Sequence, residues 1–163
     1  LTYSAEAKNN GKKVYHLNIG KHDIKTPQGF VDAIRNHKEE VLEYALSEGL
    51  PELIEAIQKY YEGYNIKFNK DEILIVNGGS EALLFAMLTI CDEGDNIIVP
   101  EPFYSNYSSF ANAVGVTIRP VTTYAENGFH LPKKEEILAK IDENTSAILL
   151  SNPGNPTGVV YTK

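Results

Sequence analysis

Three short stretches of this 163-residue chain combine residue types and spacings suited to chemistry. The richest is Asn152-Pro153-Gly154-Asn155-Pro156-Thr157-Gly158, which follows the apolar run Ala147 to Leu150. The Asn155 amide can donate a hydrogen bond to a phenolate oxygen, and the prolines stiffen the loop that aims it. A plain turn rich in Asn, Pro and Gly is the competing reading of these residues taken alone, and Asn155-Pro156 is a candidate cis bond. The second stretch is Gly78-Gly79-Ser80-Glu81-Ala82-Leu83, where a strand ending at Val76 turns into a helix. Two glycines let the backbone come close to a ligand, and the first N–H groups of a helix favour an anion such as phosphate. An ordinary strand-to-helix turn with Ser80 as N-cap accounts for the same residues equally well. The third, Glu101-Pro102-Phe103-Tyr104-Ser105-Asn106-Tyr107, offers Tyr104 or Phe103 as a face for a planar aromatic ligand, or as rings that pack beneath the helix they begin.

These three loops are expected at the carboxyl edge of one sheet, where open α/β folds bind ligands, and together they argue more strongly than any one of them. The glycine turn lacks the Gly-Lys-Ser or Gly-Lys-Thr of a P-loop and the G-x-G-x-x-G of a dinucleotide fold. His16, His22, His37 and His130 show no metal-ligand spacing, so no metal is expected. Cys91, in an apolar helical stretch, reads as a buried structural thiol.

The elements that must position these loops follow from hydrophobic patterning. Short apolar runs at Ile73 to Val76, Ile97 to Val99, Val116 to Val121 and Ala147 to Leu150 read as strands. They alternate with helices near Ser80 to Cys91, Phe103 to Ala113 and Lys133 to Ile141, the pattern of a mostly parallel sheet with right-handed crossovers. Gly94 and Gly115 suit helix stops. Upstream, Thr26-Pro27 reads as an N-cap with proline at the first helical position, opening a helix to about His37. Pro51 opens another, whose Leu53, Ile54, Ile57, Tyr60, Tyr61 and Tyr64 recur at the spacing of a packing face. Leu1 to about Ile24 has no clear period and reads as an arm or linker.

Composition sets the outer bounds. The chain is 42% hydrophobic and 23% charged, ordinary for a globular domain, with net charge −7. Its 15 basic residues are scattered, so no nucleic-acid partner is expected. No apolar stretch approaches the ~20 residues of a membrane span, the start is not a secretory signal, and a lone cysteine suits a cytoplasmic setting.

The segments quoted above resemble, in order, those of the class I and II aminotransferases, pyridoxal-phosphate enzymes of fold type I, and are most similar to bacterial aspartate aminotransferase-like proteins. Asn155-Pro156-Thr157-Gly158 looks like the family signature, and the resemblance runs from Leu17 to Val160. It implies an incomplete three-layer αβα large domain of that fold, with 1–40 as amino-terminal arm and small-domain segment and 41–163 as the partial cofactor-binding domain. By resemblance, Gly79 and Ser80 would hold the phosphate of pyridoxal 5′-phosphate, Gly78 would shape the turn, Tyr104 would stack on the pyridine ring and Asn155 would bond its 3′-oxygen. Ile19 and Gly20, in Leu17-Asn18-Ile19-Gly20, would lie with Asn155 near the substrate. Tyr44 matches a tyrosine that reaches the phosphate of a neighbouring subunit, which implies a homodimer, although from the residues alone it reads as an ordinary partly buried tyrosine. Gly154 stands where many relatives have a second asparagine, a change expected to matter little if that position contributes only backbone.

The same resemblance implies exchange of an amino group between an amino acid, aspartate in the first instance, and a 2-oxo acid. No segment matches the family's Schiff-base lysine, the aspartate that pairs with the pyridine nitrogen, or the substrate-gripping arginines, so no catalytic residue is assigned. The chain is expected to be an amino-terminal fragment, cut at both ends and inactive alone. A carbon–sulfur lyase on the same scaffold and a noncatalytic binding module are the alternatives.

Overall fold

The computed structural model describes residues 2–16, 20 and 22–162. The chain divides into two compact units, Leu1–Tyr44 and Ala45–Lys163. The first contains α1 (Thr2–Asn9) and α2 (Gln28–Arg35). The arm expected at the start thus carries a helix, whose side chains show no clear period because none of them is buried. In α2 the proline sits one place earlier than expected: Pro27 is the N-cap and its carbonyl accepts the Phe30 N–H at 3.1 Å. Phe30 and Ile34 of that helix are exposed.

The second unit holds α3 (Pro51–Glu62), α4 (Gly78–Ile90), β1 (Asn96–Glu101), α5 (Asn106–Ala113), β2 (Thr117–Thr122), α6 (Lys134–Leu138) and β3 (Thr145–Ile148). Pro51 opens α3 as the sequence indicates, because its missing N–H falls where no intrahelical acceptor exists. Only Ile54 of that helix is buried; Tyr60 and Tyr64 are exposed, and the rings pack on one another with centroids 5.2 Å apart. The tyrosine stripe is therefore an aromatic cluster at the surface rather than a core face.

The three strands form a parallel sheet in the order β2-β1-β3, an α/β arrangement of the class expected. Central β1 pairs with β2 from Asn96 opposite Thr117 through Glu101 opposite Thr122, and α5 makes the crossover between them. Against β3 the register opens with Asn96 opposite Thr145 and then shifts, so that Ile97 faces Ala147. Ile97 and Val99 point to one face, where they meet Met87 of α4, Tyr107 and Ala111 of α5, and Val116. Ile98 points the opposite way and is also fully buried. Burying each of these side chains is worth about 1.5–3 kcal/mol, which makes β1 the anchor of the unit. Cys91 packs against the same cluster, and burial, with the charge of Asp95, pushes its thiol pKa up, in keeping with a structural thiol.

The run Ile73 to Val76 is not a strand. Its Ile75 N–H bonds the carbonyl of Glu48 at 3.0 Å, in the loop before α3, and Leu74 is exposed. An apolar run announces burial but not a ladder partner, and among the described residues no strand pairs with this one. Helix α5 begins at Asn106 rather than Phe103, and α6 is shorter than its sequence pattern, ending at Leu138.

A polar network ties the amino ends of the strands. Asn96, buried at 3% exposure, donates from its amide to Asp142 Oδ1 at 3.0 Å and accepts the Thr145 hydroxyl at 2.8 Å. The Asn96 N–H donates to the Asn144 carbonyl at 2.8 Å, and Arg119 of β2 pairs with the other Asp142 oxygen. These donors, the Asn96 amide foremost, hold the Asp142 carboxyl down at about 2, against an ordinary 3.8. A depressed folded pKa means stability that is present above the ordinary value and lost as pH falls through the folded one. Asp142→Asn is therefore expected to lower the urea midpoint at about pH 7, with the gap to wild type closing as pH falls from about 4 to about 2. A gap that stays constant over that range would remove the network from the stability of the sheet.

Candidate functional site

At the opposite edge of the sheet, β1 and β3 deliver two loops side by side. The chain leaves β1 at Glu101, whose carboxylate accepts the Thr122 hydroxyl at 2.7 Å while its carbonyl accepts the N–H and hydroxyl of buried Thr123 at 2.9 and 2.8 Å. That anchorage turns the next residues into an aromatic corner. Phe103 stacks on Tyr107 with centroids 6.1 Å apart, and Tyr104 meets Tyr107 edge-on at 5.5 Å. Tyr107 is buried and belongs to the core, so Phe103 and Tyr104 rest on a fixed platform and remain half-buried themselves. The Tyr104 hydroxyl accepts from the Asn106 amide at 2.8 Å, which holds the ring by its far end.

After β3 the chain enters the Asn-Pro-Thr-Gly loop. The Gly154 N–H donates to the Val159 carbonyl and the Gly158 N–H to the Gly154 carbonyl, both at 2.7 Å. The Val159 N–H is capped by Thr157 Oγ1 at 3.3 Å. Asn155 and Pro156 stand at the exposed tip, and the peptide bonds preceding Pro153 and Pro156 are cis. Asn155 thereby stands exposed at the tip of a loop closed by these three hydrogen bonds.

The two loops meet. Pro102, Phe103 and Tyr107 line one cleft with Gly154, Asn155 and Thr157, together with Val99 of β1 and Leu149, the residue just after β3. Its volume of about 20 Å³ holds no more than a water, so it is a seam between two loops rather than a closed chamber for a ring. Tyr104 does not line the seam but sits on its Tyr107 wall.

The glycine turn opens α4, the helix packed beside α5. Asn77 is the N-cap, not Ser80, and its N–H is bound by the Glu81 carboxylate at 2.6 Å. The helix starts two residues earlier than its apolar pattern suggests because Gly78, at φ +81°, makes the left-handed step that a side chain resists. A Cβ built on Gly78 or Gly79 would meet no atom within 4 Å, so both face open space. Gly79 and Ser80 lie in the first turn, where N–H groups have no intrahelical acceptor. The residue types of this set fit a phosphorylated aromatic ligand: first-turn N–H groups with a hydroxyl for an anion, a buttressed ring face, and an exposed amide. Gly78, Gly79 and Ser80 do not line the seam.

Of the remaining residues singled out in the sequence, Gly20 is exposed with open space around it, and Tyr44 is fully exposed rather than partly buried. Both belong to the first unit. Ile19 lies outside the described residues. Among the described residues no group of three histidine, cysteine or acidic side chains could hold a metal, and no helix is long and apolar enough to cross a membrane. Asn152 was not singled out for a role of its own, yet its side chain makes paired contacts with the backbone of Tyr161. Nothing in residue spacing announces such a contact.

Comparison with known proteins gives a consistent result. The model of the family "Aminotransferase class I and II" matches residues 12–163. The chain is 34% identical over 160 residues to the aspartate aminotransferase of Bacillus subtilis, covering 97% of this chain and 40% of that protein. It is 35% identical to a (5-formylfuran-3-yl)methyl phosphate transaminase of Methanocaldococcus jannaschii, covering 100% of this chain and 42% of that one. The crystal structure of the Thermotoga maritima aspartate aminotransferase superposes with a TM-score of 0.89 at 31% identity, over 98% of this chain and 43% of that one. The chain thus spans about two fifths of the length of the relatives it matches.

The loop geometry corrects one expectation. Gly154 does contribute backbone hydrogen bonds, but the space beside it is not free: a Cβ there would lie 2.6 Å from Thr157 Oγ1 and 3.0 Å from Val159 Cγ1. An alanine must push Thr157 out of its contact with the Val159 N–H. Gly154→Ala is expected to cost about 1–3 kcal/mol by chemical denaturation, and much less in a Thr157→Ala background, where the obstructing oxygen is gone. Equal costs in the two backgrounds would show that the loop relaxes without Thr157.

Proposed function

Because this chain belongs to the class I and II aminotransferase family, we propose that it is the amino-terminal, cofactor-binding part of an enzyme that moves an amino group between an amino acid and a 2-oxo acid. Members of the family use pyridoxal phosphate, which when bound supplies an electron sink for the amino acid's α-carbon. The observation that carries the reading is the meeting of the Asn155 loop and the aromatic corner in one seam at the carboxyl edge of a parallel sheet. On this reading Gly79 and Ser80 bind the phosphate, Gly78 shapes their turn, Tyr104 faces the ring and Asn155 donates to its 3′-oxygen. Ile19 and Gly20 lie near the substrate carboxylate. The domain assignment that goes with it is an arm and small-domain segment over 1–40 and a partial large domain over 41–163.

Aspartate is the first candidate amino donor, supported by the aspartate aminotransferases among the relatives. A homodimer completes the site: Tyr44, fully exposed, is available to the phosphate of a neighbouring copy. The reading places the protein in the cytoplasm. No lysine of this chain matches the family's covalent attachment motif, so the chain by itself binds the cofactor reversibly and performs no transfer.

Titration of the chain with pyridoxal phosphate, followed by cofactor absorbance and fluorescence, tests this directly. Saturable binding is expected, weakened about tenfold by Ser80→Ala and by Asn155→Ala, each of which removes a hydrogen bond to a charged oxygen. No amino transfer from aspartate to 2-oxoglutarate is expected. Identical affinity in both variants, or turnover by the chain alone, would defeat the proposal.

A further inference from the structure

On the reading that Asn155 serves the cofactor, we propose that Asn152 is a positioning residue, whose side-chain amide clamps the 152–161 loop shut and so fixes where Asn155 is presented. Asn152 Oδ1 accepts the Tyr161 N–H at 3.0 Å, and its Nδ2 donates to the Tyr161 carbonyl at 3.1 Å. A side-chain amide here pairs with a main-chain peptide as one strand pairs with another. Inside this outer pair lie the Gly154–Val159 and Gly158–Gly154 bonds, and inside those the tip carrying Asn155. The loop is closed from its mouth inward, and Asn152 supplies the outermost closure.

The residue type is demanded by the geometry. The clamp needs one acceptor and one donor about 2 Å apart on a short planar group, which only asparagine supplies with an uncharged side chain of this length. Its amide faces the backbone of Tyr161, so Asn152 acts on the cofactor only through Asn155. Without the clamp, Asn155 would keep its chemistry but sample more positions, and donor placement within a fraction of an ångström is what a binding constellation requires.

Aspartate at this position gives a test that a merely structural role would not pass. An ionised carboxylate offers the Tyr161 N–H an acceptor but sets its second oxygen against the Tyr161 carbonyl, and that repulsion opens the pair and exposes the N–H to exchange. Once protonated it regains the donor and copies asparagine. The folded pKa in Asn152→Asp is thus raised above the ordinary ~3.9, so its clamp is present below that value and lost as pH rises through the folded pKa. Amide hydrogen exchange and NMR on the labelled chain read this out. The Tyr161 N–H is expected to be protected in wild type at every pH, and in Asn152→Asp to lose about fivefold to tenfold of that protection near pH 7 and recover it near pH 4. Asn152→Ala is expected to lose it at both, with the Asn155 side-chain signals broadened. Pyridoxal phosphate affinity is expected to follow the same order. An unprotected Tyr161 N–H in wild type, or protection in Asn152→Ala equal to wild type, would overturn the proposal. Loss of the clamp with the expected Asn155 broadening, in a chain whose wild type binds no pyridoxal phosphate, would uphold the positioning and sink the cofactor reading instead.

Discussion

One buried amide sets the frame on which the rest of this chain depends. Asn96 stands at the first residue of the central strand, almost wholly removed from water, and a polar side chain there is tolerated only if its hydrogen bonds are made. They are made to Asp142 and Thr145, in the turn that begins β3, while Arg119 of β2 reaches the same carboxylate. The three strands are therefore pinned to a common starting line. In a parallel sheet the pairing register decides which residue leaves at the far edge, and a slip of one residue would turn every side chain to the wrong face. Fixing Asn96 opposite Thr145 and Thr117 at one edge thus fixes which loop residues face each other at the other.

From that frame the two edges divide their work. The amino edge is closed, ionic and mutually satisfied. At the carboxyl edge stand Asn155, exposed at its loop tip, and a tyrosine ring buttressed by Tyr107, while the glycines that open α4 face empty space. Between them runs β1, whose Ile97, Ile98 and Val99 supply the apolar burial that makes the sheet rigid enough to carry such a site. The polar network and the paired loops thus stand at opposite ends of the same six-residue strand.

The sequence was most legible where structure is local or repetitive. The run Ile97 to Val99 becomes the central strand because burial on both faces leaves an uninterrupted hydrophobic signature, and the runs at Val116 and Ala147 become its partly exposed neighbours. The run at Ile73 has the same signature and no ladder, since pairing is decided by a neighbour that the run itself does not encode. Helix starts moved for similar reasons. At α4 a glycine conformation, not the serine side chain, sets the first turn. Asn155 could be read from its motif, and the aromatic corner from its residue types. The Asn152 clamp could not, because a side chain that pairs with a backbone nine residues onward leaves no periodic trace. Nor could the crowding at Gly154, which depends on where Thr157 and Val159 come to rest.

The central proposal is that the glycine turn, the aromatic corner and the Asn155 loop together bind one cofactor. An amide chemical-shift map of the labelled chain during addition of pyridoxal phosphate tests it most directly. Saturable shifts that share one dissociation constant at Gly79 and Ser80, at Tyr104 and at Asn155, with the Asn96 and Asp142 amides undisturbed, are the result predicted. Shifts scattered over surface lysines, or three loops that titrate independently, would contradict it.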